Sequence, residues 1–116
     1  MSYYLFCDDV RFPEEVYSNY EYPEFENIDW VIVRSFHEAG QYIKKNGQPI
    51  LISIDYDFSK SEDKRNGTYI ANFLVNESRK YDVITMEIKA HSSLSEYNQK
   101  IYKIVQEIFD RDNKCK

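Results

Sequence analysis

Two pairs of carboxylates, each placed just past a short apolar run, are the residues of this chain best suited to chemistry. Asp8 and Asp9 follow Tyr3-Tyr4-Leu5-Phe6-Cys7, and Asp55 and Asp57 follow Ile50-Leu51-Ile52-Ser53-Ile54. Converging carboxylates repel one another unless protons or a cation join them. Hard oxygen donors suit Mg²⁺ or Mn²⁺ better than zinc. Asp8, Asp9 and Asp55 are therefore the candidate metal ligands, with Asp57 placed to orient or activate water. Arg11 offers a planar fork to phosphate oxygens. His91 exchanges a proton near neutral pH, so it is the candidate general acid for a leaving oxygen. Ser92, with the N–H groups that open the last helix, suits a phosphate seat. Each piece also has an ordinary reading, because Asp–Asp pairs are often solvated turns and a His–Ser pair is often structural. Their shared position after strands is what joins them.

Strands and helices must bring these residues together. Apolar runs at 3–7, 30–34 and 50–55 read as strands, and 83–89, which alternates more, reads as a fourth, edge strand. The near-continuous run at 50–54 suits a strand buried on both faces, as in a parallel sheet. Between them, Pro13 opens a short helix, and Ser35 with Glu38 forms a capping box for a helix ended by Asn46-Gly47. A helix spans 68–79. Ser93 with Glu96 caps the longest helix, 94–110, ahead of a charged, frayed tail at 111–116. The segment 17–26 is an irregular connection rich in Tyr and Glu, whose rings either stack on a base or, more commonly, cover the sheet. Residues 58–67 form a polar loop. Its Lys60, Lys64 and Arg65 either close on an anion or remain solvated.

The order β-α-β-α-β-α-β-α with right-handed crossovers implies an α/β fold: a parallel sheet of four strands, order 2-1-3-4, flanked by helices. That order puts a switch point between the first and third strands, where open α/β sheets place their ligands. Asp8, Asp9, Asp55 and Asp57 meet there, and His91 arrives from the fourth strand.

Composition narrows the partners. One domain, 1–116, is expected from the 116 residues, with a modest core. The formal net charge of -5 disfavours sequence-independent binding of long nucleic acids. A small phosphate-containing ligand or an RNA terminus remains open if a cation offsets the acids. No apolar run approaches the ~20 residues of a membrane span. Cys7 lies in a core strand and Cys115 in the tail, which suits a reduced, cytoplasmic setting. Eleven Tyr among many Ile, Asn and Lys fit an AT-rich genome, such as that of a low-GC bacterium or of a phage acting in its host's cytoplasm.

The motifs resemble those of cyclic-phosphate processing receiver domains. Phe6-Cys7-Asp8-Asp9-Val10-Arg11-Phe12-Pro13 is similar to that family's Leu-Asp-Asp-x-Arg-x-Pro opening. Trp30-Val31-Ile32-Val33-Arg34 with Glu38-Ala39 resembles its second strand and helix. Ile52-Ser53-Ile54-Asp55-Tyr56-Asp57-Phe58 resembles its Ser-Leu-Asp-His-Asp-Leu-Gly segment, and His91-Ser92 its His-Ser pair, with Asn98 answering to the Asn that follows. The resemblance implies a truncated receiver-like, three-layer fold and a role in handling cyclic phosphates, such as those at RNA ends. It implies that Asp8, Asp9, Asp55 and Asp57 form the acidic site beside Arg11, His91 and Ser92. Three departures stand out. Tyr56 replaces the family's His, Phe58-Ser59 replaces Leu-Gly, and the Pro and Gly after His-Ser are missing near Leu94-Ser95-Glu96.

The leading expectation is a metal-assisted phosphoesterase for a cyclic nucleotide or an RNA 2′,3′-cyclic phosphate. The alternative is a protein that sequesters such a ligand without turnover, as a phage counter-defence protein would. A receiver phosphorylated on Asp55 is disfavoured, since no fifth strand ends in the Lys such domains use and Lys89 precedes His91 on the fourth strand. An interaction module on a degraded receiver fold is the plainest option.

Overall fold

The computed structural model describes residues 2–18, 21–25 and 27–114, with side chains through Arg111. Four strands, β1 (Tyr4–Cys7), β2 (Trp30–Val33), β3 (Leu51–Ile54) and β4 (Glu87–Ala90), form one parallel sheet in the order 2-1-3-4. The connecting helices are α1 (Pro13–Val16), α2 (Phe36–Asn46), α3 (Gly67–Ser78) and α4 (Ser95–Lys114). Architecture and strand order are those expected from the apolar runs. Among the described residues, no helix is long and apolar enough to cross a membrane.

Side chains of a strand alternate between faces, and here the two faces differ in chemistry. Leu5, Cys7, Ile52, Ile54 and Ala90 join Ala39 and Ile43 of α2, Ile70 and Leu74 of α3 and Ile101 and Val105 of α4 in the hydrophobic core. Each fully buried Leu or Ile contributes about 1.5–3 kcal/mol over an exposed one. The opposite face carries Phe6 and Ser53 and is covered by the connection after α1. Tyr17 stacks on Trp30 at 6.1 Å and meets Phe25 edge-on at 4.8 Å, and Phe6 meets Trp30 at 5.8 Å. Of the two readings of the tyrosine-rich connection, the described rings follow the one that covers the sheet.

Local chemistry sets the helix ends. Ser35 Oγ accepts from Glu38 N–H at 3.1 Å, while Glu38 reaches back to Arg34 N–H at 2.9 Å. Gly47, at φ 82°, ends α2 in a backbone conformation that favours glycine. Asn66 caps α3 by accepting from Thr68 N–H at 2.9 Å. Gly67 lets α3 start against the tip of β3, since a Cβ there would stand 2.2 Å from the Asp55 carbonyl oxygen.

Two boundaries differ from expectation. β4 begins at Glu87 rather than at 83, because its neighbour β3 begins only after Pro49. The amide of Gln48 takes the place of a strand partner, donating to Val83 O (2.9 Å) and accepting from Thr85 N–H (3.1 Å). α4 runs on to Lys114, and Arg111 ties its end to α3 through Ser78 Oγ at 2.7 Å and Val75 O at 3.3 Å. Its start is closed by Ser92 and Asn98 rather than by Ser93 and Glu96. Asn98 accepts from Ser92 N–H at 2.8 Å and donates to Ser92 O at 2.9 Å. Cys7 is fully buried, and burial raises its thiol pKa. Cys115 lies outside the described residues.

Candidate functional site

Register builds the site. Cys7 pairs with Ile54, and Ile54 with Ala90, so the next residues along each strand, Asp8, Asp55 and His91, stand side by side. The ladder continues one step into them, as Asp55 N–H donates to Cys7 O and His91 N–H to Ile54 O, both at 2.9 Å. Neighbouring strands lie about 4.8 Å apart. Two carboxylate oxygens and an imidazole nitrogen consequently fall within 4.8 Å of one another, all on buried residues, as a metal ion's ligands would.

Asp8 is saturated with donors. Oδ1 accepts from Val10 N–H (3.0 Å) and Arg11 N–H (2.9 Å), and Oδ2 from Arg11 Nε (2.9 Å) and His91 Nε2 (3.1 Å). Burial pushes this carboxyl up, but the hydrogen bonds from His91, Arg11 and Val10 outweigh it and hold the group well below the usual carboxylate range. Arg34 braces the same turn, its Nη1 donating to the carbonyls of Asp8 (3.1 Å) and Arg11 (2.6 Å).

Asp55 is the opposite case. Its Oδ1 accepts from Tyr56 N–H (2.9 Å) and faces Arg11 Nη2 at 3.3 Å, while Oδ2 has no partner among the described residues. Burial, together with the charge of Asp8, pushes its carboxyl up to about 6 against the pull of Arg11. The Arg11 guanidinium thus bridges both carboxylates and supplies the charge compensation that such a pair needs.

His91 is locked on every side. Nε2 meets Asp8, Nδ1 lies 2.7 Å from Ser53 Oγ, and Ser53 Oγ bonds in turn to the buried hydroxyl of Tyr17. The ring stacks on Phe6 at 4.7 Å. Burial lowers the His91 pKa against the pull of Asp8. With Nε2–H donating to the Asp8 carboxylate, Nδ1 accepts from Ser53, which accepts from Tyr17. The hydroxyls of Tyr17 and Ser53 and both ring nitrogens of His91 then each have a partner. Motif reading includes Ser53 without giving it a role and passes over Tyr17. The signal was a serine inside an otherwise apolar strand, since a buried hydroxyl demands a partner.

The other expected residues lie further out. Asp9 turns outward and accepts from Lys60 N–H at 2.7 Å. Asp57 is exposed and accepts from Ser59 N–H at 2.9 Å, which lowers its pKa. Ser92 is half-buried at the rim, with its N–H taken by Asn98 and its Oγ accepting from Leu94 N–H at 3.2 Å. Tyr56, between the two acids at the tip of β3, stacks on Tyr97 of α4 at 4.1 Å. The cations of the polar loop stay near home. Lys64 donates to Ser59 O (2.9 Å), and Arg65 pairs with Asp63 (2.8 Å) while lying 4.2 Å over the Phe36 ring.

A four-stranded parallel sheet with acids gathered where β1 and β3 part company defines a receiver-like α/β protein with its site at the topological switch point. The chain belongs to the cyclic-phosphate processing receiver domain family, whose family model matches residues 3–107. That span contains Asp8, Arg11, Asp55 and His91. Comparison with curated proteins and with solved structures gives no match.

Proposed function

We propose that this protein is a phosphoesterase that opens a cyclic phosphate, on a cyclic nucleotide or at an RNA 2′,3′-cyclic end, with help from Mg²⁺ or Mn²⁺. The observation that carries this reading is the convergence of Asp8, Asp55 and His91 beside the Arg11 fork in a chain of this family. In the reaction, water adds to phosphorus and one ester P–O bond breaks. The water's proton is lost, and the leaving oxygen gains one. Arg11 orients the phosphate by its planar fork. Asp55, with its free Oδ2 and its raised pKa, takes the proton from water and returns one to the leaving oxygen. Asp57 is left outside this step because it is exposed and turned onto Ser59, and His91 because both its ring nitrogens are bonded. His91 instead positions Asp8.

The donors fit a divalent cation. Asp8, Asp55 and His91 would hold it once the Nε2 proton that His91 donates to Asp8 is released, and when bound it would offset the carboxylates and polarise a phosphoryl oxygen. The imidazole in the set favours Mn²⁺ over Mg²⁺.

The test is incubation with 3′,5′-cyclic and 2′,3′-cyclic mononucleotides and with RNA carrying a 2′,3′-cyclic end, with and without each metal. Ring-opened monoester is the expected product, and Asp55→Ala is expected to slow its formation about 10²–10⁴-fold. A second reading, capture without turnover, is favoured by Tyr56 standing where the family carries His. Recovery of intact bound ligand would establish it in place of hydrolysis.

A further inference from the structure

Lys89 leaves β4 on the face opposite the long helices and enters a cage of three rings. Its Nζ lies 4.8 Å from the centroid of Tyr22, 5.6 Å from Tyr17 and 5.8 Å from Phe25. Among the described residues it has neither a carboxylate nor a hydrogen-bond acceptor. Lys89 is half-buried, and an ammonium that meets only ring faces among the described residues gains a modest return for the hydration it gives up. It lines a cavity of about 280 Å³ together with Arg11, His91 and Ser92, so the cavity reaches the acidic site through Arg11 and His91. Among the described residues, Glu15 is the one acid in that lining, and its carboxylate already accepts from Phe12 N–H at 2.6 Å. The wall therefore presents the Lys89 ammonium, the guanidinium of Arg11 that also pairs with Asp8 and Asp55, and the hydroxyls of Ser92 and Ser93 to a space at the small end of ligand pockets, roughly 300–1,000 Å³.

We propose that Lys89 and Arg11 together form the anion seat of the site, gripping the phosphate of a nucleotide-sized ligand that enters between β4 and the aromatic connection. This deepens the phosphoesterase reading and rests on it for the identity of the ligand. The seat itself does not require turnover. Arg11 holds the phosphate from the carboxylate side and Lys89 from the cavity side. The aromatic cage keeps the lysine stem from folding away, so the ammonium is in place before the ligand arrives.

The test uses the intact chain, titrated with inorganic phosphate and with 2′,3′-cyclic AMP while the backbone amides of Arg11 and residues 89–93 are followed by NMR. Both probes are expected to shift the same amides. Lys89→Met keeps the aliphatic stem against the rings and removes the charge, and it is expected to weaken both affinities about tenfold to a hundredfold, the worth of one charge-assisted hydrogen bond. Lys89→Arg is expected to restore them to within a few-fold, and matched melting temperatures show that each variant is folded. Equal affinity in the wild type and Lys89→Met overturns the seat, as does phosphate that shifts none of these amides in the wild type. Phosphate binding through Lys89 without binding or turnover of any cyclic phosphate leaves the seat and removes the phosphoesterase reading. Turnover with an unchanged KM in Lys89→Met does the reverse.

Discussion

The tips of β1 and β3 carry the same sequence pattern, an apolar strand followed by acids, yet the structure uses them differently. In both, the first acid turns into the site and the second turns out to brace the loop after β3, Asp9 through Lys60 N–H and Asp57 through Ser59 N–H. The inward acids then diverge. Asp8 accepts four hydrogen bonds and is held ionised, while Asp55 keeps one oxygen free and is pushed up to about 6. Two like charges held this close cannot both be relaxed, so the donors settle which one stays charged. Asp8 is thereby the anchor of the site and Asp55 its exchangeable group, the separation by which paired carboxyls come to serve different roles.

Removing the anchor is the most damaging way to probe this contrast. Asp8→Ala leaves Arg11 Nε, His91 Nε2 and two N–H groups without their acceptor and is expected to cost about 3–5 kcal/mol in urea unfolding. Asp55→Asn keeps a similar shape and relieves repulsion, and at pH 7 it is expected to be at least as stable as wild type. Equal losses in the two variants would erase the distinction.

Metal sharpens it next. At a hundredfold excess over its dissociation constant, Mn²⁺ is expected to stabilise the native state by about 2.7 kcal/mol. The gain should vanish in Asp55→Asn. An unchanged melting curve at millimolar Mn²⁺ and Mg²⁺ counts against any ion at these residues.

Ser53→Ala strands the Tyr17 hydroxyl and His91 Nδ1 in the interior, with an expected loss of about 1–3 kcal/mol. Ser53→Thr, which keeps the hydroxyl, should recover part of that loss. If Ser53→Ala is neutral, the chain from Tyr17 to Asp8 does not hold the imidazole.

The pH dependence separates the two acids directly. The folded pKa of Asp55 lies above its unfolded value near 3.8, so between the two the native state binds more protons than the unfolded chain. Stability from this group is therefore expected to fall as pH rises from about 4 to about 6 and to level off above. Asp8 works in the other direction, and its contribution is lost only as pH falls below about 4. Urea midpoints measured across this window in wild type and Asp55→Asn isolate the descent, which should be missing from the variant.

The smallest effects belong to the outward acids. Asp9→Asn and Asp57→Asn are each expected to change stability by under about 1 kcal/mol, since each removes a single hydrogen bond on the exposed side of the site. A loss comparable to that of Asp8→Ala would place one of them in the anchor.

Much of this was legible in the residues. The apolar runs, the Ser35 cap and the Asn46-Gly47 stop are local signals, and local signals read directly. The acids after the runs, Arg11 and His91 were legible because a parallel sheet with this order sends its strand ends to one rim. What the sequence by itself determined, then, was an α/β sheet of order 2-1-3-4 and the residue types at its carboxyl edge. Tertiary structure alone decided which of them meet. The register sets Asp8, Asp55 and His91 abreast because each is the first residue past a paired position, while Asp9 and Asp57 fall beyond and point away. It also decided the protonation roles of Asp8 and Asp55, because a carboxyl's pKa depends on how many donors reach it and how much water has left. The partners of the buried serine in β3 were set the same way, since Tyr17 and His91 lie 36 and 38 residues from Ser53 along the chain and meet it only across the folded sheet.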